Sequence, residues 1–295
     1  MPTNSSNIKI VITGAKGQLG LALSQLLHKN TDYLLWTFDS SQLDISNRAA
    51  VFKSIEEIQP HIIINAAAYT KVDDAEVNIN LARAVNVDGP KYLAQAASRT
   101  GAHLIHFSSD YVYHSVTDRP ILETDPCSPK SIYAQSKLDG DHQVIAHLQN
   151  FTIIRTSWVY GPGGHNFVYT MLRLADKHET LNIVSDQIGS PTLSLDIADL
   201  CLSIIKKIII GEGQHCTGIF NYSNRGQISW ADFARKIFEI KQLAVNVVDI
   251  DTESYGAAAL RPKWSVLSLN KIENLLNVRA TDWDLRLFEF LEKYS

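Results

Sequence analysis

The chain has 295 residues, of which 45% are hydrophobic and 20% charged; the composition is typical of a folded globular protein, and the length suggests about two domains or one elaborated domain. Its formal net charge of -4 argues against nucleic acid as the main partner, because phosphate backbones are bound by clustered positive charge. Three distant cysteines and the absence of metal-ligand spacings predict free thiols in a reducing cytoplasm and no bound metal, and no apolar run reaches the ~18 residues of a membrane span.

The first half alternates short apolar runs with helical patterns. The pattern predicts strands at 8–13, 33–38, 61–65, 103–107 and 152–155, and helices at 19–28, 46–58, 80–100 and 131–148. Ser46 and Ser128, the latter followed by Pro129, are the expected caps of the second and fourth helices. Strands that are apolar throughout and alternate with helices indicate a parallel sheet covered on both faces.

After Trp158 the alternation loosens, and Ser229 opens a capping box ahead of a helix through Ile240. The predicted fold is therefore α/β, a Rossmann-type doubly wound parallel sheet with a smaller C-terminal substrate-binding region. We place the NAD(P)-binding Rossmann domain at residues 1–160. Residues 161–295 are expected to form mainly the substrate-binding region, with some segments returning to the Rossmann core.

A glycine-rich turn joins the first strand to the first helix. Gly14, Gly17 and Gly20 have the spacing G-x-x-G-x-x-G, which allows backbone to approach a pyrophosphate closely while the helix N-terminus holds its charge. A tight turn without a ligand is the alternative. Asp39 ends the second strand about twenty residues later, where a carboxylate accepts hydrogen bonds from an adenosine ribose. It favours NADH, but the neighbouring serines leave the preference between NADPH and NADH open.

Tyr133 and Lys137 form a Y-x-x-x-K pair one helical turn apart. A nearby ammonium is expected to lower the tyrosine pKa toward neutrality, which suits proton transfer. Two solvated helix residues would be the alternative if the pair stood alone. Ser109 closes the fourth strand, where parallel sheets place ligand-binding groups, and its hydroxyl could bind the same substrate oxygen.

Together with Asn65-Ala-Ala-Ala68, these motifs resemble an extended short-chain dehydrogenase/reductase. Further stretches are similar to the dTDP-4-dehydrorhamnose reductase family and run through nearly the whole chain. They are Gly17–Gly20, Ala67–Glu76, Ser109–Tyr113, Arg155–Tyr160, Asn166-Phe167, Asp186–Thr192 and Arg261-Pro262.

The resemblance implies reduction of the 4-keto group of dTDP-4-dehydro-6-deoxy-L-mannose to dTDP-L-rhamnose with NADPH or NADH. It implies that Tyr133 donates the proton, that Lys137 binds the nicotinamide ribose and that Ser109 polarises the carbonyl. The cofactor-binding residues it implies, besides Tyr133 and Lys137, are Gly14, Lys16, Gly17, Gln18, Leu19, Gly20, Asp39, Asp44, Ile45, Ala66, Ala67, Ala68 and Tyr69. The substrate-binding residues are Thr70, Val72, Tyr111, Trp158, Asn166, Gln187 and Arg261.

The sequence departs from the family pattern in two places. Ser109 stands where the family commonly has threonine, so the hydroxyl is kept and a methyl group is lost. Members that dimerise around magnesium use a glutamate early in the first helix, where this chain has Leu21 and Ala22. A homodimer is compatible with the sequence, but a magnesium bridge is not expected.

Two other functions share parts of the pattern. A nucleotide-sugar epimerase or 4,6-dehydratase has the same loop and Y-x-x-x-K pair, but a dehydratase usually has Asp-Glu where this chain has Asp110-Tyr111. A non-catalytic regulatory subunit similar to the β subunit of methionine adenosyltransferase shares a stretch like 108–112. The stretches 73–76 and 186–192, together with Trp158, count against it.

Overall fold

The computed structural model of the protein describes residues 7–114 and 116–294, so residues 1–6, 115 and 295 of the two predicted regions lie outside it. The strands, in chain order, are β1 Ile8–Thr13, β2 Tyr33–Phe38, β3 Ile62–Asn65, β4 His103–Ser109, β5 Phe151–Thr156, β6 Val159–Tyr160, β7 Thr180–Val184, β8 Ile188–Gly189, β9 Thr192–Leu193, β10 Gly218–Tyr222, β11 Ile228–Ser229 and β12 Asn246–Ile250.

The α-helices, in chain order, are α1 Gln18–Leu27, α2 Arg48–Ile58, α3 Val72–Ala75, α4 Ile79–Arg83, α5 Gly89–Thr100, α6 Ile132–His147, α7 Phe167–Ala175, α8 Ser194–Lys207, α9 Trp230–Ile240, α10 Thr252–Tyr255, α11 Asn270–Leu276 and α12 Trp283–Tyr294. In the described residues, a π-helical segment, Ala84–Asp88, and two 3-10 turns, Asp110–Val112 and Gly213–Cys216, complete the helical structure, and the segment Ile208–Glu212 after α8 is broken at Gly211, which has φ +89.

Six parallel strands form the main sheet in the order β10-β5-β4-β3-β1-β2. Helices α1 and α8 pack together against one face, and α2, α5 and α6 cover the other. Strand order reverses between β1 and β3, so the carboxyl ends of these strands form the crevice in which open α/β sheets bind ligands. The predicted Rossmann-type fold is thereby confirmed. One strand of this sheet, β10, comes from the second half of the chain.

A second apolar cluster lies in the C-terminal half, where α7, α9 and α12 pack around aromatic rings. Phe233 contacts the rings of Tyr160, Phe167 and Trp283, and Phe290 contacts Tyr160 and Tyr169. Short strand pairs, β6 with β9, β8 with β11 and β7 with β12, hold the loops of this half in place. Strand β6 directly follows Trp158 and β8 directly follows Gln187, so backbone pairing holds the segments that carry both side chains.

Two predicted helix caps are wrong. Asn47 rather than Ser46 caps α2, since its side chain accepts from the Ala50 amide while Ser46 donates to Asp44. Ser131 rather than Ser128 caps α6 and accepts from the Ala134 amide. The long helix expected at 80–100 is confirmed, because α4, the π-helical segment Ala84–Asp88 and α5 follow one another without a break, with Pro90 in the first turn of α5. The capping box at Ser229 is confirmed, because its hydroxyl accepts from the Asp232 amide and donates to the Asp232 carboxylate.

Candidate active site

The glycine turn between β1 and α1 is shaped by backbone contacts. Gly14 has φ +71, and a Cβ there would lie 2.5 Å from the Ala67 nitrogen, so the turn and the segment after β3 touch through backbone alone. A Cβ on Gly20 would overlap the Gly14 carbonyl. At Gly17 the nearest atom to a built Cβ is 3.3 Å away, and no side chain caps the helix that follows. The first-turn amides of α1 are therefore available to a phosphate, which fits the expected dinucleotide.

Asp39 at the end of β2 already has partners. Its Oδ2 lies 2.5 Å from the Lys16 Nζ, and its Oδ1 accepts from the Ser41 amide and hydroxyl. The Lys16 ammonium and Ser41 hold the pKa of this carboxyl well below its usual range. The same corner thus holds an anion that suits a ribose hydroxyl and a cation that suits a 2′-phosphate.

Four other predicted cofactor residues, Gln18, Leu19, Asp44 and Ile45, have contacts within the protein. Gln18 donates to the His165 carbonyl (2.9 Å), and Leu19 packs against the core beside the sheet. Asp44 accepts from Ser46, and Ile45 is buried against the backbone of Gly89. Leu19 and Ile45 therefore have packing roles of their own, and their contact with a cofactor stays a prediction.

The segment after β3 runs from this turn toward α6. Ala66, Ala67, Ala68 and Tyr69 are all half-buried. The Tyr69 amide donates to Asn86 Oδ1 (2.8 Å), and the Asn86 Nδ2 donates to Ser136 Oγ (3.0 Å) on α6. The Tyr69 hydroxyl donates to Asp74. Asn86, inside the π-helical segment, therefore links the predicted cofactor path to the helix of Tyr133, and the sequence pattern did not single it out.

Ser109, Tyr133 and Lys137 come together at the carboxyl end of β4, and all three are buried. Lys137 lies one turn after Tyr133 on α6 and donates from Nζ to the Phe107 carbonyl at 2.7 Å. The Ser109 hydroxyl hydrogen-bonds Tyr133, donates to Asp110 Oδ1 (3.0 Å) and accepts from the Tyr111 amide (3.2 Å). The helix and the strand thus bring the three predicted side chains to one point.

The expected lowering of the tyrosine pKa is wrong for this ligand-free protein. Burial raises the pKa of Tyr133 to about 12, and a hydrogen bond with Ser109 opposes the rise only in part. Burial also lowers the pKa of Lys137 to about 8, against the attraction of Asp141. A tyrosine with a raised pKa keeps its proton at neutral pH, which is the form that a proton donor needs.

A buried ion pair lies beneath this site. Asp141 follows Lys137 by one further turn of α6, and Arg155 on β5 donates to its Oδ2 from Nε (3.1 Å) and from its terminal nitrogen (3.0 Å). Arg155 also donates to the Tyr113 hydroxyl at 2.8 Å, and His106 Nε2 lies 3.9 Å from Asp141 Oδ1. The motif around Arg155 was used only for resemblance, so sequence reasoning missed this pair. A carboxyl at i+4 from a buried lysine was the available signal.

Two aromatic residues of the predicted substrate set are held in defined positions. The Tyr111 ring meets the Tyr133 ring edge to face, with centroids 5.5 Å apart. Trp158 has φ +47, a rare conformation for a large side chain, and stacks on Trp230 with centroids 3.5 Å apart and planes 8° apart. A Cβ on Gly189 would lie 2.5 Å from the Trp158 ring, so the close approach requires glycine. Trp230 was not predicted from the sequence.

The other predicted substrate residues mostly have partners within the protein. Both terminal nitrogens of Arg261 donate to the Asp73 carboxylate (3.0 and 2.6 Å), and Gln187 Nε2 donates to Thr252 Oγ1 (3.1 Å). Asn166 caps α7 and donates to Gln18 Oε1 (3.2 Å), which joins the C-terminal half to the glycine turn. The remaining two lie near the start of α3, where Val72 packs in the Tyr133 cluster and Thr70 is exposed. Their contact with a substrate stays a prediction.

Residues 7–114 and 116–294 contain neither a cluster of metal-ligand side chains nor a helix that could span a membrane. No group of three or more His, Cys, Asp or Glu side chains there is arranged to hold a metal ion. Within the same residues, no helix combines the length and apolar character needed to cross a membrane.

Comparison with known proteins places the chain in a family. The model of the family described as RmlD substrate binding domain matches residues 8–295. The dTDP-4-dehydrorhamnose reductase of Aggregatibacter actinomycetemcomitans is 41% identical over 286 residues, which cover 95% of this chain and 97% of that protein. The spore coat polysaccharide biosynthesis protein SpsK of Bacillus subtilis is 39% identical over 97% of this chain and 98% of its own.

Solved structures agree. The dTDP-4-dehydrorhamnose reductase of Bacillus anthracis, in complex with NADP, has a TM-score of 0.90 and 39% identity over 97% of this chain and 99% of that chain. The Clostridium acetobutylicum protein of the same name has a TM-score of 0.91 and 38% identity over 97% and 99%. With a family model that spans all but the first seven residues, and with relatives that match along nearly their whole length, the chain belongs to the RmlD family of dTDP-4-dehydrorhamnose reductases.

Proposed function

We propose that this protein reduces the 4-keto group of dTDP-4-dehydro-6-deoxy-L-mannose to give dTDP-L-rhamnose. The observation that carries the proposal is the meeting of Ser109, Tyr133 and Lys137 at the carboxyl end of β4, in the sheet that also carries the glycine turn. Relatives at about 40% identity bear the name of this reductase, and one solved relative was crystallised with NADP. NADPH or NADH is the hydride source in this proposal.

The protein's own residues have separate tasks. The α1 amides would hold the diphosphate of the cofactor, and the paired Lys16 and Asp39 would face its adenosine ribose. Lys137, fixed through the Phe107 carbonyl, keeps two N–H donors for the nicotinamide ribose. A bound nicotinamide would supply hydride for C4 of the sugar. Tyr133 gives its phenolic proton to the C4 oxygen, and Ser109 donates a hydrogen bond to the same oxygen.

The substrate lies, in this proposal, between the catalytic trio and the C-terminal half. Tyr111 and Trp158 contact the sugar, and Gln187 and Arg261 serve the nucleotide, with the guanidinium suited to a diphosphate. In the ligand-free protein Arg261 forms an ion pair with Asp73. The substrate phosphate must therefore share the guanidinium with the Asp73 carboxylate or displace that carboxylate. The cytoplasmic location, a homodimer without a magnesium bridge and the lack of nucleic-acid binding stay predictions.

The decisive experiment measures NADPH and NADH oxidation with dTDP-4-dehydro-6-deoxy-L-mannose, with a UDP-sugar as control. Tyr133→Phe is expected to lower kcat by about 10²–10⁴-fold while cofactor affinity stays close to that of the unmodified protein. Tyr33→Phe, at the opposite end of the sheet, is the matched control and keeps full activity. No oxidation with either cofactor, or near-normal turnover by Tyr133→Phe, contradicts the proposal.

A further inference from the structure

Asp110 lies inside the catalytic site, and the mechanism above gives it no task. It follows Ser109 at the end of β4 and is only 2% exposed. Its Oδ1 accepts a hydrogen bond from the Ser109 hydroxyl at 3.0 Å. The hydroxyl that is expected to donate to the substrate oxygen therefore donates to a neighbouring carboxylate in the ligand-free protein.

This contact matters because a serine hydroxyl has a single proton. The Ser109 oxygen already accepts from the Tyr111 amide (3.2 Å), and its hydroxyl donates to Asp110 Oδ1 (3.0 Å). While Asp110 is ionised it can only accept, so it holds that proton. A neutral carboxyl can instead donate its own proton to Ser109 Oγ, and the serine proton is then released for the carbonyl oxygen of a substrate.

We propose that Asp110 is a positioning residue that acts through Ser109, and that its neutral form turns the Ser109 proton toward the substrate carbonyl. The inference rests on the proposed reductase function. Asp110 keeps its proton throughout, so no atom or electron is exchanged with the substrate. Tyr133 remains the proton donor and the nicotinamide remains the hydride source.

The surroundings of Asp110 favour the neutral carboxyl. Burial raises the pKa of Asp110 to about 7, against the opposing hydrogen bonds of Ser265 and Ser109. The groups that face it from neighbouring elements are the Tyr133 phenol on α6, the Tyr111 phenol of its own turn and the Ser265 hydroxyl, and the negative charge of Asp110 raises the pKa of both phenols. Beyond these groups, the positive charge of Arg261 lowers the pKa of Tyr111, and the negative charge of Asp141 raises the pKa of Tyr133.

The first test reads the protonation of Asp110 without substrate. Infrared difference spectra between the unmodified protein and Asp110→Asn are recorded from about pH 5 to about pH 9. A carboxylic-acid carbonyl band that is missing in the variant and fades as the pH rises through about 7 is expected. If no such band is present at about pH 6, Asp110 is ionised there and the proposal is overturned, whatever reaction the protein catalyses.

The second test is the pH dependence of kcat at saturating cofactor and ketosugar. In the unmodified protein kcat is expected to fall, by up to about a hundredfold, as Asp110 ionises and withdraws the Ser109 proton. Asp110→Asn has an amide that can donate to Ser109 at every pH, so this variant is expected to lose that fall. Ser109→Ala is expected to be slow at all pH values and to show no Asp110 titration. Asp139→Asn, a substitution of the same kind in an exposed pair with Arg83, is expected to keep the normal profile.

Three kinetic outcomes overturn the proposal. One is a decrease in kcat with rising pH that is unchanged in Asp110→Asn, which would assign this decrease to Lys137 or another group. Another is a loss of about a hundredfold in Asp110→Asn at about pH 6, which would require the carboxyl itself. The third is a Ser109→Ala profile that still shows the titration. If the unmodified protein does not turn over the ketosugar at all, the proposed function fails and the kinetic role of Asp110 fails with it, whereas the infrared band still reports the carboxyl.

Discussion

Replacing Trp230 with alanine should release Trp158 from its present position. Two indole rings whose centroids are 3.5 Å apart stabilise each other by about 0.5–1.5 kcal/mol beyond the area they bury. The left-handed backbone of Trp158 costs about 1–3 kcal/mol, and one hydrogen bond from the Thr192 amide to its carbonyl (3.1 Å) returns about 1 kcal/mol. These terms are of similar size, so the stack decides whether the conformation persists.

Trp230→Ala is therefore expected to lower the free energy of unfolding by about 3 kcal/mol and to raise the KM for the dTDP-sugar about tenfold, with a smaller effect on kcat. Stacked indoles give a paired positive and negative band in the far-ultraviolet circular dichroism spectrum. That couplet should vanish in Trp230→Ala and in Trp158→Phe, and it should persist in Trp36→Phe, which removes a distant tryptophan on β2. A couplet that survives in Trp230→Ala, or an unchanged KM, refutes the reasoning.

Three further substitutions test other parts of the structure. Gly14→Ala places a Cβ 2.5 Å from backbone at a positive φ, so cofactor affinity in a fluorescence titration should fall at least tenfold; an unchanged Kd would count against the tight turn. Arg155→Met leaves Asp141 buried without its partner, so urea unfolding should show a loss of about 3–5 kcal/mol, and a loss below about 1 kcal/mol would contradict the buried pair. Asp39→Ala frees Lys16 and removes a negative charge, so the ratio of kcat/KM for NADPH over NADH should rise about tenfold; a fall in that ratio would show that the carboxylate does not face a 2′-phosphate.

Much of the fold could be predicted because local signals and tertiary packing agree in the first half. The strands β1 and β2 have the predicted bounds, since β-branched runs ended by turn residues also fill the buried sheet. The caps of α2 and α6 were misplaced because several polar residues precede each helix, and only the backbone geometry selects Asn47 and Ser131. The π-helical segment at 84–88 was missed because no residue type signals it.

The candidate site was predictable where chemistry follows short spacings along the chain. The four-residue spacing of Tyr133 and Lys137, and the place of Ser109 at a strand end, predicted the residues that the fold brings together. Contacts between distant segments were not predictable in this way. Trp230 meets Trp158 through packing of the C-terminal half, and the pKa of Tyr133 depends on a burial that a spacing does not report.

The place of β10 at the edge of the main sheet has a consequence for how the protein is made. The N-terminal part of the chain emerges from the ribosome first, so β1 to β5 are exposed before β10 can pair with β5. During that interval the edge of β5 displays unpaired amides and carbonyls, which can pair with strands of other chains. A nascent chain that stalls before residues 218–222 is therefore expected to bind chaperones or to aggregate. A fragment ending at residue 160 lacks β10 as well and should also be prone to aggregation.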